Sequence, residues 1–182
     1  MNAGGHGADI AACLVETELF DLRSAVHGWV AADRLGLRFR GSDIADHQVV
    51  LAARLRLHHG DQVASEAMLS DIVKWRREHQ PGGQNAGSVF VNPIPGELAA
   101  AQLIDRLGLR GYAIGGAHVS DKHANFVQAG DGATADDVLR VMRHVRDTVA
   151  AESGFALRSE VRLVGFEHLA AHEHHESAGV NW

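Results

Sequence analysis

The hydrophobic pattern of this chain changes period at His58-His59-Gly60-Asp61. Before that point Val49, Leu51, Ala53, Leu55 and Leu57 alternate with residues that include Arg54 and Arg56. That period of two predicts a half-buried strand of an antiparallel sheet, with the arginines on the other face. After it Met68, Leu69, Ile72 and Val73 recur at helical spacing, with Ser65 as N-cap and Lys74, Arg76 and Arg77 near the far end. Pro81-Gly82-Gly83 stops that helix. Strands in front and mixed elements behind predict an α+β fold with a boundary near Gly60. The expected organisation is 1–60, 61–167 and a polar, His-rich tail at 168–182.

The remaining elements follow from local signals. Residues 10–20 read as a strand, 21–28 as a turn, and Trp29-Val30 as the start of a short return strand. Pro95-Gly96 opens a second helix with Leu98, Leu103, Ile104 and Leu107 on its apolar side and Gly108 as its stop. Residues 111–117 and 123–128 read as short strands around a turn. Thr134 is the N-cap of a third helix, because Asp136 and Asp137 stand in its first turn, where the helix dipole favours acid. Its buried stripe is Val138, Val141, Met142, Val145 and Val149, and Gly154 ends it. Residues 157–164 read as the last strand, with Leu157, Val161 and Leu163 on one face and Arg158, Glu160 and Arg162 on the other.

Composition excludes several classes of function. A formal net charge of -6 argues against nucleic-acid binding by bulk electrostatics. The single cysteine, Cys13, allows no internal disulfide and reads as a small hydrophobe beside Leu14 and Val15. No apolar run is long enough to span a bilayer, and the first residues lack the basic and apolar regions of a signal peptide. A cytoplasmic protein without membrane or nucleic-acid partners is expected. The 13 histidines include His168, His172, His174 and His175, yet a terminal tail offers no fixed geometry, so no metal site is expected.

Two glycine-punctuated runs carry the chemistry. The first is Gly87-Ser88-Val89-Phe90-Val91-Asn92-Pro93, which holds a serine between a glycine and an Asn-Pro stop. Glycine permits a turn or a close backbone approach, and Pro93 cannot donate in a ladder, so Ser88 is expected at a presented position outside a regular element. The second is Gly115-Gly116-Ala117-His118-Val119-Ser120-Asp121-Lys122-His123-Ala124-Asn125-Phe126. On pattern alone each polar residue has a plain structural reading. Ser88 is a turn serine, Arg40 and Lys122 are solvated cations, and Glu160 sits on the polar face of a strand between two arginines.

Taken together and in this order, the two runs resemble the C-terminal half of the UDP-N-acetylenolpyruvoylglucosamine reductase family, flavoenzymes that make UDP-N-acetylmuramate for bacterial cell walls. That family carries Gly-Ser-x-Phe-x-Asn-Pro followed by Gly-Gly-Ala-x-Val-Ser-x-Lys-His-Ala-Asn-Phe, and both stand here at nearly full length. The resemblance implies a peptidoglycan-pathway oxidoreductase in which NADPH reduces FAD and the reduced flavin gives a hydride to the enolpyruvyl group of a UDP-N-acetylglucosamine enolpyruvate substrate. It implies Ser88 as the proton donor to carbon. Arg40, in Phe39-Arg40-Gly41-Ser42, and Glu160, in Ser159-Glu160-Val161-Arg162, would hold the enolate-like charge. Asn92 and Lys122 would bind the substrate, while His123 and Asn125 tie their loop together. Asn2, Gly4, Gly7 and Ser42 would touch the flavin.

The sequence departs from the family's patterns in places. Gly5 and His6 stand where an alanine and a tyrosine are usual, Phe39 replaces a tyrosine, and Val91 stands where lysine is frequent. Residues 1–60 resemble the second subdomain of a FAD-binding domain, the first being expected as missing, and 61–167 resemble the substrate-binding domain. The fingerprint of a dinucleotide loop is absent, since no strand precedes Gly4-Gly5-His6-Gly7. The alternative expectation is a truncated, non-catalytic UDP-sugar-binding module without flavin, prone to self-association through the apolar surface that truncation exposes.

Overall fold

A computed structural model describes residues 1–166. The chain divides into two compact units, Met1–Ile72 and a second that begins at Val73. Together they contain helices and antiparallel sheets in an α+β arrangement, as the change of period predicts.

The first unit opens with a two-residue hairpin, β1 (Gly4–Gly5) and β2 (Ala8–Asp9). Its main feature is a three-stranded antiparallel sheet of β3 (Leu14–Asp21), β4 (Val26–Ala31) and β5 (Gln48–Leu55) in the order β4-β3-β5. Central β3 buries Thr17 and Leu19 on one face. The other face carries Glu16 and Glu18 beside Leu14 and Phe20 and is held by cross-strand contacts. Glu16 pairs with Arg54, whose guanidinium lies 4.2 Å from the Trp29 ring centroid, and Glu18 bonds His27 at 2.8 Å.

Several expectations for this unit change, among them the turn over 21–28, which is shorter because β3 runs to Asp21 and β4 starts at Val26. Residues 10–12 form a 3-10 turn, not strand, because the Asp9 carboxylate accepts from Ala12 N at 3.2 Å and turns the chain before β3. The expected single face of Val49, Leu51, Ala53, Leu55 and Leu57 is also broken. Val50 opposes Leu19 and Ala52 opposes Glu18, so Leu51 is the extra residue of a bulge. One inserted residue in a period-two pattern moves Val49 and Ala53 to opposite faces.

Helix α1 (Gln62–His79) is longer at its front than expected. Asp61, not Ser65, caps it: the Asp61 carboxylate accepts from Ala64 N at 2.8 Å, and Ser65 Oγ instead donates back to Asp61 O at 2.8 Å. Asp outcompetes a serine inside the first turn because its ionised oxygen reaches the orphan amides directly.

The second unit is built on a four-stranded antiparallel sheet in the order β6-β9-β8-β7. Its strands are β6 (Gln84–Ser88), β7 (Ala113–Ile114), β8 (Ala117–Val119) and β9 (Phe126–Ala129). Helices α2 (Ala100–Arg106) and α3 (Ala135–Ser153) complete it. The core joins Phe90, Ile104, Val119, Val127, Met142, Val145 and Leu157. α3 buries Leu139, Val141, Met142, Val145 and Val149, with Thr134 Oγ1 accepting from Asp137 N at 3.1 Å and Gly154 leaving the helix at φ 74°.

The ends of this unit's elements are shorter than expected. α2 starts at Ala100, since Leu98 N bonds Ile94 O at 2.9 Å and makes 94–98 a closed turn around left-handed Gly96. Residues 157–164 form no strand. They pair only at a single isolated bridge between Ser159 and Phe90, beyond the end of β6, while Leu157 is buried.

Candidate functional site

In the second unit Ser88 is the last residue of β6, inside a regular element and half-buried. The strand reaches it through a bulge: Asn85 opposes Gln128, whereas Ser88 opposes Phe126. Gly87 makes this possible at φ 81°, where a side chain would be strained, and Asn85 Oδ1 accepts from Gly87 N at 3.0 Å to close the turn. Sequence patterning saw the glycine but not the strand on either side of it.

Beyond Ser88 the chain is gripped from two sides. On one side Val89 N donates to Asn125 O at 2.9 Å. The buried Asn125 side chain accepts from Phe90 N at 2.9 Å and donates to Phe90 O at 2.8 Å. On the other side Glu160 N donates to Val89 O at 2.8 Å and Val91 N donates to Arg158 O at 2.9 Å. Glu160 thus pairs through its backbone with Val89, the residue after Ser88, from a segment 71 positions further along (160 − 89).

The other candidates of this unit have structural partners. Exposed Asn92 accepts from Ala100 N at 3.1 Å, so it caps the first amide of α2. Lys122 Nζ donates to Arg77 O in the last turn of α1, a favourable place for a cation. His123 Nδ1 accepts from Asn125 N at 3.2 Å. Burial, and secondarily the nearby Arg110, hold the His123 pKa below its ordinary value, which keeps the ring neutral and able to accept. Arg110 is itself fixed by Asp105 at 2.5 Å and by Asp121 O at 2.6 Å. Asp105 raises the Arg110 pKa further, and the Arg110 hydrogen bond lowers that of Asp105.

The Gly115-Gly116 pair serves the scaffold. A Cβ on Gly116 would stand 2.6 Å from Ala133 Cα, and one on Gly115 would stand 2.3 Å from the Asp137 carboxylate. Asp137 also accepts from Thr134 N at 3.1 Å and Gly116 N at 3.4 Å. Thr134 contributes most to holding the Asp137 carboxyl below its ordinary pKa, with Gly116 N adding to it. The glycines let the start of α3 sit against the β7–β8 turn.

In the first unit the structure gathers Asn2, Gly4 and Arg40. Arg38 and Gly41 exchange backbone bonds of 3.1 and 3.0 Å, and Arg40 stands at the tip of this turn with φ 52°. Its Nη2 donates to Gly4 O at 2.8 Å, and its guanidinium lies 4.9 Å from the Phe39 ring centroid. Buried Asn2 donates to Asp9 Oδ2 at 3.0 Å and to Arg38 O at 3.3 Å, and accepts from Ala11 N at 2.8 Å. Asn2, His6 and Arg40 all adopt positive φ (40°, 51° and 52°), each at about 1 kcal/mol or more of backbone cost. Gly7 takes φ 83°, and Gly5 and Gly7 have open space where a side chain would stand. Ser42 follows, half-buried. Strained backbone and open glycines on one loop fit close approach of a flat ligand.

No three His, Cys, Asp or Glu side chains gather as a cation site among the described residues, and the histidines from His168 onward lie outside them. Among the described residues no helix is long and apolar enough to cross a membrane.

An α+β unit with a glycine-entered serine strand and a Gly-Gly-Ala seat for its long helix is defined here, and comparison with known proteins places it. Residues 78–164 match the family described as UDP-N-acetylenolpyruvoylglucosamine reductase, C-terminal domain. This part of the chain is therefore similar to that domain. The UDP-N-acetylenolpyruvoylglucosamine reductase of Gloeobacter violaceus is 43% identical over 185 residues, covering 100% of this chain and 58% of that protein. The reductase of Heliobacterium modesticaldum is 39% identical over 167 residues, covering 91% and 52%. The crystal structure of the Thermus caldophilus reductase superposes with a TM-score of 0.77 at 29% identity, covering 89% of this chain and 57% of that one. The chain thus resembles the C-terminal portion of these reductases and spans a little over half their length.

Proposed function

We propose that this chain works in the reduction of an enolpyruvyl UDP-sugar, as a UDP-N-acetylmuramate dehydrogenase of peptidoglycan precursor synthesis in the cytoplasm. The observation that supports the reading is the backbone bond from Glu160 N to Val89 O, the residue that follows the serine. When bound, FAD reduced by NADPH supplies the hydride. Asn2, Gly4, Gly7 and Ser42 line the flavin's approach, on the strength of the open space at Gly7 and the positive φ of Asn2 and His6. Arg40 binds the substrate carboxylate through its two-pronged guanidinium. Glu160 supports the enolate-like charge by sharing a proton. Ser88 Oγ then delivers a proton to the carbon. Asn92 and Lys122 serve the nucleotide-sugar diphosphate. Residues 1–60 act as the flavin-side region and 61–167 as the substrate-side region.

The second reading is a UDP-sugar-binding module without flavin. The family match favours it, since it lies in the second unit, over residues 78–164. Exposed Val50, Leu51, Leu55 and Leu57 make self-association part of both readings. Purified chain that is yellow and oxidises NADPH with the enolpyruvyl sugar supports the enzyme, whereas colourless chain that still binds the sugar supports the module. Within the enzyme reading, Ser88→Ala abolishes product formation but leaves NADPH-dependent flavin reduction intact. If both half-reactions fall together, the role given to Ser88 is wrong.

A further inference from the structure

We infer that Asn125 is a positioning residue for Ser88 and Glu160, acting through the backbone of Val89 and Phe90. The inference rests on the reading of Ser88 and Glu160 given above. Its physical basis is a side chain that substitutes for a strand. The regular β6–β9 pairing ends where Ser88 opposes Phe126. Two residues further on, β9 no longer supplies a partner for Phe90, and Phe90 is 2% exposed, so its amide and carbonyl have no access to water. Asn125 fills both roles at once, its carboxamide oxygen accepting from Phe90 N at 2.9 Å and its nitrogen donating to Phe90 O at 2.8 Å. A carboxamide has the same donor and acceptor set as a peptide group, and it is the shortest side chain that does.

The consequences run outward in both directions. Toward Ser88, Val89 N is held by Asn125 O, so the two residues after the serine are both clamped by the same partner. Across the segment, Glu160 N is held by Val89 O, so Glu160 takes its position from a residue that Asn125 fixes. Asn125 is itself oriented, since its own amide donates to the neutral ring of His123, and it is 4% exposed. The Lys-His-Ala-Asn-Phe part of the second motif therefore acts on the serine of the first. This explains why a residue far along the chain accompanies Gly87-Ser88, although Asn125 touches no reacting atom.

The test uses the whole chain, the enolpyruvyl UDP-sugar and NADPH, with Asn125→Ala and Asn125→Gln. Gln keeps the donor and acceptor but adds one methylene, which displaces the segment without releasing it. Misplacement on the order of 1 Å lowers kcat for product about 100-fold, with KM for the sugar and the rate of flavin reduction by NADPH changed less than about twofold. A purely structural role would lower product formation and flavin reduction by the same factor, that of the folded fraction, and leave KM unchanged. The second readout is amide hydrogen exchange: Phe90 and Glu160 amides exchange about 10-fold faster in Asn125→Ala, while Met142 and Val145 in α3 keep their protection. Wild-type kcat in the Gln variant, or Glu160 exchange unchanged in a folded Ala variant, overturns the inference. If Asn125→Ala does not fold, the Gln variant decides through the same two readouts. A wild-type chain without turnover counts against the proposed function instead, and the exchange of Glu160 and Phe90 then decides the positioning role alone.

Discussion

Gly116→Ala separates a scaffold glycine from a ligand-binding one. The added Cβ would lie 2.6 Å from Ala133 Cα, 2.7 Å from its N and 2.8 Å from its Cβ. Carbon atoms in contact prefer about 3.5–4.0 Å, so the two segments must part by on the order of 1 Å. Neither can yield freely. Ala133 N bonds Gly130 O at 3.1 Å, and Gly130 N bonds Gly116 O at 2.9 Å. The next residue, Thr134, caps α3, and Gly116 N itself reaches Asp137. Overpacking of this kind costs about 1–3 kcal/mol. For a unit of this size each kcal/mol lowers the melting temperature by about 4–8 °C, so a 2 kcal/mol loss appears as roughly 8–16 °C. Circular dichroism at helical wavelengths follows the melting. Gly82→Ala is the matched control, because nothing lies within 4 Å of its Cβ position. A Gly116→Ala chain that melts with the wild type but loses the UDP-sugar would refute the scaffold assignment and return the glycine to the ligand.

Two further predictions concern the same unit. Thr134→Ala removes the acceptor for Asp137 N and costs about 1 kcal/mol in thermal or urea unfolding, whereas Thr134→Ser retains most of it; equal losses in the two variants would contradict the capping role. The His123 pKa is held below 6.5 by burial, so the unfolded chain takes up a proton more readily. Stability from this ring is thus complete above about pH 6.5, declines as pH falls toward the lowered folded value, and levels below it. His123→Gln flattens that part of the stability-pH profile, and an unchanged slope in the variant would remove the buried neutral ring from the account.

What was legible in the sequence was what depends on neighbours along the chain. The Thr134 cap, the α3 stripe and the stop at Gly154 were readable because a helix is decided by residues three and four apart. The two motifs could be read together because each is contiguous. The bulge at Leu51 was invisible, since a register shift belongs to the pairing of β3 with β5 and to neither strand alone. Ser65 looked like a cap because the pattern cannot rank it against Asp61, whose carboxylate reaches the amide.

The sequence by itself determined the fold class, the candidate residues and the family they resemble, all through local spacing. Tertiary structure alone decided that Asn125 completes the backbone pairing of Phe90, that Glu160 lies beside Val89, and that Gly116 seats α3. Those contacts join residues 35, 71 and 17 positions apart (125 − 90, 160 − 89, 133 − 116). They arise when buried amides must find partners and crowded backbones must find room, conditions that exist only once the chain has closed on itself.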